Sequence, residues 1–284
     1  MIVKKAYGKI NLSLDVINKR SDNYHNIGSI MAKINLYDVL SFEKKDKGIE
    51  IIGDFDFNME DNLIYKAYKL LMDKAGKDLG IRVEVEKNIP QAAGLAGGTA
   101  DGCATLLALN ELYSLNYSLL DLMKISTSLG ADFPYMLNNK NMYAQGIGDV
   151  LEPCGDFFYT NILIVNPSYG ISTPYVYNNL KLDNKRIDFH KLIDALNNYD
   201  YDYLKANLEN KMESFVFSEY KDLMEIKNKL REFKGISLMS GSGPTIFSIF
   251  QNKDDLNRAY DFYKGTYKNL YKTCGGDFFG NLWF

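Results

Sequence analysis

The sequence predicts an α+β protein of two domains, and three observations lead there. The first half alternates period-two apolar segments with stretches of helical periodicity. From Gly146-Ile147-Gly148 to Cys154-Gly155-Asp156 the pattern loosens into turn residues, and Asn161 to Val165 starts a new apolar run. A chain of 284 residues, 46% hydrophobic and 24% charged, also suits about two domains with cores of their own. The expected division is residues 1–155 and 156–284.

Taken in order, Ile10, Leu12, Leu14 and Val16 alternate with Asn11, Ser13 and Asp15, the period of a half-buried strand. Ile30, Ala32, Ile34 and Leu36 repeat it. Asp61 is expected to cap a helix running through Leu63, Ala67, Leu70, Leu71 and Ala75, with Gly76 as its stop. Ile81 to Glu86 reads as a strand with one apolar and one charged face, and Thr99 to Asn110 as a helix. Ser118 and Asp121 form a capping pair before Leu122, Ile125 and Leu129, and Gly130 ends that helix. In the second half, strands are expected at 161–165, 236–240 and 245–250. Helices are expected near 188–197, 201–209, 219–232 and 254–265, covering one side of a sheet.

Net charge is −3 with a pI near 5.6, so the chain has no electrostatic footprint for nucleic acid. Three scattered cysteines, Cys103, Cys154 and Cys274, build neither a disulfide framework nor a Cys-x-x-Cys metal site. Cys103 reads as a small buried hydrophobe and His190 as a structural helix residue. No apolar run is long enough for a membrane span and no apolar signal core follows Met1, so the expected location is the cytoplasm. The aromatic stretch from Cys274 to Phe284 fits no pattern and is a candidate to pack on the second domain or on an oligomer partner.

One segment speaks to function: Pro90-Gln91-Ala92-Ala93-Gly94-Leu95-Ala96-Gly97-Gly98-Thr99-Ala100. Strand, small-residue loop and helix start are the geometry that points backbone N–H groups at an anion. Glycines let the main chain approach a phosphate, and Gly97→Val is expected to block that approach while leaving the fold intact. The lysine of a Walker loop is missing, as is the Gly-x-Gly-x-x-Gly of dinucleotide binders. A flexible turn before a buried helix is the alternative.

Three further segments accompany it. In Ala6 to Leu12, Lys9 and Asn11 share one strand face; alone, such a lysine reads as a charge reaching solvent. In Leu129 to Tyr135, Asp132 is a lone acid after a helix stop, before a proline-constrained turn. Met239 to Thr245 reads as strand, turn, strand.

In this order and spacing the four segments resemble the GHMP kinase superfamily, the small-molecule kinases named for galactokinase, homoserine kinase, mevalonate kinase and phosphomevalonate kinase. Its Pro-x-x-x-Gly-Leu-small-Gly-Gly-Ser/Thr loop is matched at Pro90 to Thr99. The match narrows to the branch that phosphorylates a cytidine-diphosphate-linked methylerythritol for the non-mevalonate isoprenoid pathway. Ala6 to Leu12, the basic element Lys19 to His25, Leu129 to Pro134 and Ser240 to Thr245 match that branch. The resemblance spans position 6 to about 250, and it departs at Ala100, where a second hydroxyl is common.

The resemblance implies a two-domain GHMP kinase architecture. Its amino-terminal domain has a left-handed β-α-β crossover, against the usual rule, and its carboxy-terminal domain is ferredoxin-like. It implies Asp132 as the base that takes the substrate's proton, with Lys9 beside it stabilising the transferring phosphoryl group. Pro90 to Ala100 would hold the phosphates of ATP, with Asn62 and Lys87 near the adenosine and Mg²⁺ as the accompanying metal. Tyr24 and Tyr177 would sandwich the cytosine, and Asn11, His25 and Thr173 would make polar contacts to the rest of the substrate. The reaction implied is phosphorylation of the 2-hydroxyl. Two alternatives stay open: another GHMP kinase, for homoserine or mevalonate, and a non-catalytic nucleotide- or sugar-binding protein on the same fold. Tyr24, His25 and Tyr177 speak against the first, since those substrates offer no base to stack. Lys9 with Asp132 speaks against the second, since a binder needs no proton acceptor.

Overall fold

Two long strands, β1 (Ile2–Lys19) and β2 (His25–Lys45), pair antiparallel and hold the molecule together. The computed structural model describes residues 1–55 and 58–277, so the aromatic tail beyond Asp277 lies outside the described residues. After β2 come β3 (Ile49–Ile52), α1 (Leu63–Ala75), β4 (Gly80–Glu86), α2 (Gly97–Leu112), α3 (Leu119–Ser126) and α4 (Asp132–Leu137). A hairpin of β5 (Met142–Gln145) and β6 (Val150–Pro153) leads to β7 (Phe158–Asn166). Then follow α5 (Thr173–Asn179), α6 (Phe189–Asn197), α7 (Tyr201–Asn207), α8 (Glu213–Glu219) and α9 (Lys221–Glu232). β8 (Ile236–Met239), β9 (Ile246–Ile249), α10 (Lys253–Tyr263) and β10 (Asn269–Gly276) complete the order.

The strands form one mixed sheet in the order β3-β4-β2-β10-β7-β9-β8, with β1 and β5 also on β2 and β6 on β5. β3 and β4 are parallel across α1; the other strand pairs among the described residues are antiparallel. This is an α+β architecture and no doubly wound parallel sheet.

Three apolar clusters fill it. One packs α1, α2 and α4 on the first-half strands, with Leu71, Cys103, Leu109 and Phe133 fully buried. A second lies between the halves, where Ile10, Leu12 and Ile34 meet Ile162, Leu238 and Phe247. The third packs α9 and α10 against the far face of the second-half strands through Leu163, Val165, Leu230 and Ala259.

Several expectations need correction. The cap of α1 is Asn62, whose side chain accepts from the Ile64 N–H at 2.9 Å. Asp61 sits one residue too early, in a 3₁₀ turn from Met59 to Asp61. The loosened stretch near 146–156 contains β6, and Gly146 to Gly148 is its hairpin turn. The second-half strands are covered on both faces: Ile162 and Ile164 face the cluster shared with α6 and α7, Leu163 and Val165 the opposite one. Burial on both faces is why they read as unbroken apolar runs. Pro134 constrains no turn; it lies in the first turn of α4, where its missing N–H leaves no bond unmade. α5 and β10 had no counterpart in the sequence reading. Cys103 is a core residue as expected, and His190 lies on the exposed side of α6.

Candidate active site

A cavity of about 1050 Å³ opens where β1, the loop after β4, α4, α5 and the β8–β9 turn converge. Its floor begins with β1. Register shifts beside Lys9 and after Asn11 mark irregular pairing with β2, the kind of distortion that re-aims side chains. Lys9 is no solvent-reaching charge: it is only 4% exposed, and its Nζ donates to Asn11 Oδ1 at 2.6 Å. Asn11 in turn donates to Ser29 Oγ at 2.8 Å. The same lysine Nζ lies 3.5 Å from Oδ2 of Asp132, the first residue of α4, whose side chain is about one-third exposed.

Behind α4 stands a second buried lysine. Lys33, paired in register with Lys9, donates to Met136 O at 2.9 Å and Asn139 Oδ1 at 3.3 Å, where α4 ends. Burial pushes its amine down to about 7.

The loop after β4 is shaped by its backbone. Ala92, Gly94 and Ala96 take positive φ of 49°, 75° and 55°, alternating with residues that do not. Such alternation turns successive N–H groups toward one side and makes an anion-binding nest. Left-handed alanines cost about 1–2 kcal/mol each, so neighbours must hold the loop. Lys9 N donates to Leu95 O at 3.0 Å, and Ser240 Oγ donates to Gly94 O at 2.9 Å. A Cβ on Gly94 would collide with the Ser240 carbonyl oxygen. The first intrahelical bond of α2 runs from Ala100 N to Ala96 O. That leaves the N–H groups of Gly97, Gly98 and Thr99 without helical acceptors at the cavity wall.

Most of the expected site residues meet here: Lys9, Asn11, Tyr24, His25, Asn62, Lys87, Asp132, Thr173 and Tyr177 all line the cavity. So do Pro90, Gln91, Ala92, Ala93, Gly94, Ala96, Gly97, Gly98 and Thr99. Leu95 and Ala100 do not. Leu95 packs between the halves, and the Ala100 methyl is buried in the first-half core, so the cavity meets the hydroxyl residue Thr99 there. Gly97→Val is no clean probe either, because a Cβ there would stand 2.9 Å from Ile89 Cγ2.

At the far end, Tyr24 stands at the rim, 60% exposed, in the turn between β1 and β2. His25 stacks on Tyr177 of α5 with ring centroids 4.9 Å apart and planes 20° from parallel. Burial, with Lys19 nearby, holds the His25 imidazole below its ordinary value. Thr173 shares a 2.8 Å hydrogen bond with Ser242 Oγ of the β8–β9 turn.

Some contributing residues escaped the sequence reading. Asp38 is fully buried, and its signal was parity: Leu36, Leu40 and Phe42 share its inward face of β2, so an acid there interrupts a core stripe. Asp101 lines the cavity with its Oδ1 buried and without a hydrogen-bond partner. Burial lifts its carboxyl above the usual range, against the pull of Lys87. Asn210 donates to Met239 O at 2.7 Å and Gly241 O at 2.8 Å, fixing the β8–β9 turn; nothing local in the sequence marks it.

A nest of backbone N–H groups, a buried lysine and a carboxylate across one cleft agree with the GHMP class of small-molecule kinase. Residues 62–145 match the GHMP kinases N terminal domain, and residues 189–269 match GHMP kinases C terminal. The 4-diphosphocytidyl-2-C-methyl-D-erythritol kinase of Clostridium perfringens is 38% identical over 270 residues, covering 93% of this chain and 94% of its own. That of Acetivibrio thermocellus is 40% identical over 267 residues, covering 92% and 94%. The chain belongs to the 4-diphosphocytidyl-2-C-methyl-D-erythritol kinase family. A crystal structure of 4-(cytidine 5'-diphospho)-2C-methyl-D-erythritol kinase, 28% identical, superposes with a TM-score of 0.84, covering 97% of this chain and 99% of its own. The mevalonate kinase of L. major, 16% identical with a TM-score of 0.70 and coverage of 96% and 95%, shares the fold.

Proposed function

We propose that this chain transfers the γ-phosphoryl group of ATP to the 2-hydroxyl of 4-diphosphocytidyl-2-C-methyl-D-erythritol in the non-mevalonate isoprenoid pathway. The observation that carries the reading is the approach of Lys9 Nζ to Asp132 Oδ2, 3.5 Å, in the cavity that also holds the phosphate nest and the Tyr24–His25–Tyr177 group. Asp132 takes the proton as the hydroxyl oxygen bonds to the γ-phosphorus and the bond to the β-phosphate oxygen breaks, releasing ADP. Lys9, oriented by Asn11, offsets negative charge on the group in flight. The free N–H groups from Gly97 to Thr99 receive the phosphates. Asn62 and Lys87 lie toward the adenosine, and Tyr24, His25, Thr173 and Tyr177 receive the cytidine end.

Mg²⁺ accompanying ATP keeps much of its water and needs only one or two protein oxygens. Thr99, whose side chain carries a hydroxyl and lines the cavity at the phosphate end, fits that need. The metal would neutralise phosphate charge there. No described helix is long and apolar enough to cross a membrane. Two nucleotide substrates favour the cytoplasm as the place of work. The residue ranges 1–155 and 156–284 serve as the two domains flanking the cleft. The test is turnover of ATP with the cytidylated methylerythritol, against homoserine and mevalonate. Activity confined to the first is expected; turnover of only the other two would sink the reading.

A further inference from the structure

The phosphate loop starts and ends on one buried ionic cluster. Asp38 has no exposed surface, and its Oδ1 accepts the N–H groups of Asn88 at 2.6 Å and Ile89 at 2.8 Å, where the chain leaves β4. Its Oδ2 takes Lys87 Nζ at 2.5 Å. The same Nζ reaches Asp101 Oδ2 at 2.7 Å, and Asp101 belongs to α2, beyond the far end of the loop. The whole nest segment, Pro90 to Thr99, lies between these anchors along the chain.

We propose that Asp38, Lys87 and Asp101 act as a clamp that fixes the two ends of the loop relative to one another. On this view Asp38 and Asp101 are positioning residues for ATP. Buried ion pairs add little net stability compared with apolar packing, and their best-attested use is to set register. Register is what this loop needs. Its ligands are main-chain N–H groups, which no side-chain rotamer can re-aim if α2 shifts against β4. Two alanines with positive φ give it no relaxed conformation to fall back on. The cluster therefore acts on the cradle while Asp38 itself stays outside the cavity lining.

The proposal rests on the kinase reading, and the test separates the two. Binding of a non-hydrolysable ATP analogue and of the cytidylated substrate is measured by calorimetry, needing no turnover, beside steady-state kinetics. Asp38→Asn keeps an acceptor for Asn88 and Ile89 but loses the charge facing Lys87. Analogue affinity should fall about tenfold, with cytidylated-substrate affinity and kcat at saturating ATP held within about twofold. Asp101→Asn breaks the link from the other side. The double variant should bind the analogue within about twofold of the weaker single, because the residues act as a unit. Unchanged analogue affinity in folded Asp38→Asn overturns the clamp. So do equal losses for both ligands, or losses that multiply in the double variant. If Asp38→Asn does not fold, Asp101→Asn decides by the same split between the two ligands. A wild-type protein without turnover would sink the kinase reading and leave this measurement standing.

Discussion

On the proposed function, the two ends of the cavity recognise their ligands by opposite means. At the phosphate end the groups on offer are main-chain N–H groups of Gly97, Gly98 and Thr99, held by bonds from Lys9 N and Ser240 Oγ to loop carbonyls. At the cytidine end they are side chains: an exposed Tyr24, and a His25–Tyr177 stack contributed by both halves of the chain. Main-chain recognition tolerates changes of side chain but needs an exact path of the backbone. Side-chain recognition tolerates backbone drift but depends on residue identity. Substitutions at one end should therefore leave the other almost untouched, and the two ends should couple only where Lys9 meets Asp132.

The largest effect is expected at that meeting point. Asp132→Asn should lower kcat by about 10²–10⁴-fold while both substrates bind within a few-fold, as read by steady-state kinetics beside calorimetry. Lys9→Met should also slow turnover, and the double variant should lose far less than the product of the single losses. Near-normal turnover in Asp132→Asn would leave Lys9 and positioning as the source of catalysis. Next comes Tyr177→Ala, which should weaken the cytidylated substrate roughly five- to hundredfold and spare ATP. Equal loss of both would make Tyr177 a packing residue and dissolve the contrast.

Gly98→Ala probes the other end more gently. A Cβ there meets only Leu63 Cδ1, at an ordinary 3.5 Å, so the fold accepts it. Replacing a helical glycine should raise unfolding free energy by about 0.5–1 kcal/mol in urea titration, while the KM for ATP rises about tenfold. Improved stability with unchanged KM would place the phosphates elsewhere. The smallest effect is a titration shift. Burial first, then Lys19, holds His25 below the ordinary imidazole value of about 6.5. Between its folded value and about 6.5 the unfolded chain binds more protons, so stability is full above that window and declines as pH falls through it. Tyr177→Ala should move the His25 titration, followed by NMR, back upward. An unmoved titration would mean that the stacked ring contributes nothing to its burial.

Lys9, Asp132 and Tyr24 were legible only through the resemblance of their short segments to a kinase family; taken alone, Lys9 reads as a solvent-reaching charge and Asp132 as a turn former. The glycine loop showed its strand–loop–helix start locally, and these three residues and all of the loop but Leu95 and Ala100 reach the cavity. Short periodic elements were legible from local pattern, as with the Ser118–Asp121 capping box. What escaped depends on contacts between distant segments. Asp101 looks like an ordinary acid, and the break that Asp38 makes in the apolar stripe of β2 gains its meaning only when β2, β4 and α2 are brought together around Lys87. α5 was hidden because Pro174 reads as a break, although it occupies the first turn after the Ser172 cap, where proline is welcome. β10 was hidden because its weak alternation gives no sign that it reaches both β2 and β7.

That strand carries a consequence for biosynthesis. β10 follows every other described strand and helix in chain order, yet it sits mid-sheet, pairing with β7 along its length and touching β2 at Gly275 opposite Ile34. A chain emerging from the ribosome can build the α1–α2–α4 layer early, and Leu14 can already bond Glu209 and Lys211 across the halves, but the sheet stays divided between β2 and β7 until residues 269–276 arrive. Until then the edges of β2 and β7 stand open, the kind of surface that invites mispairing with a neighbouring nascent chain. One short strand inserted between two older edges thus completes the sheet, and that is the step at which folding and mispairing compete.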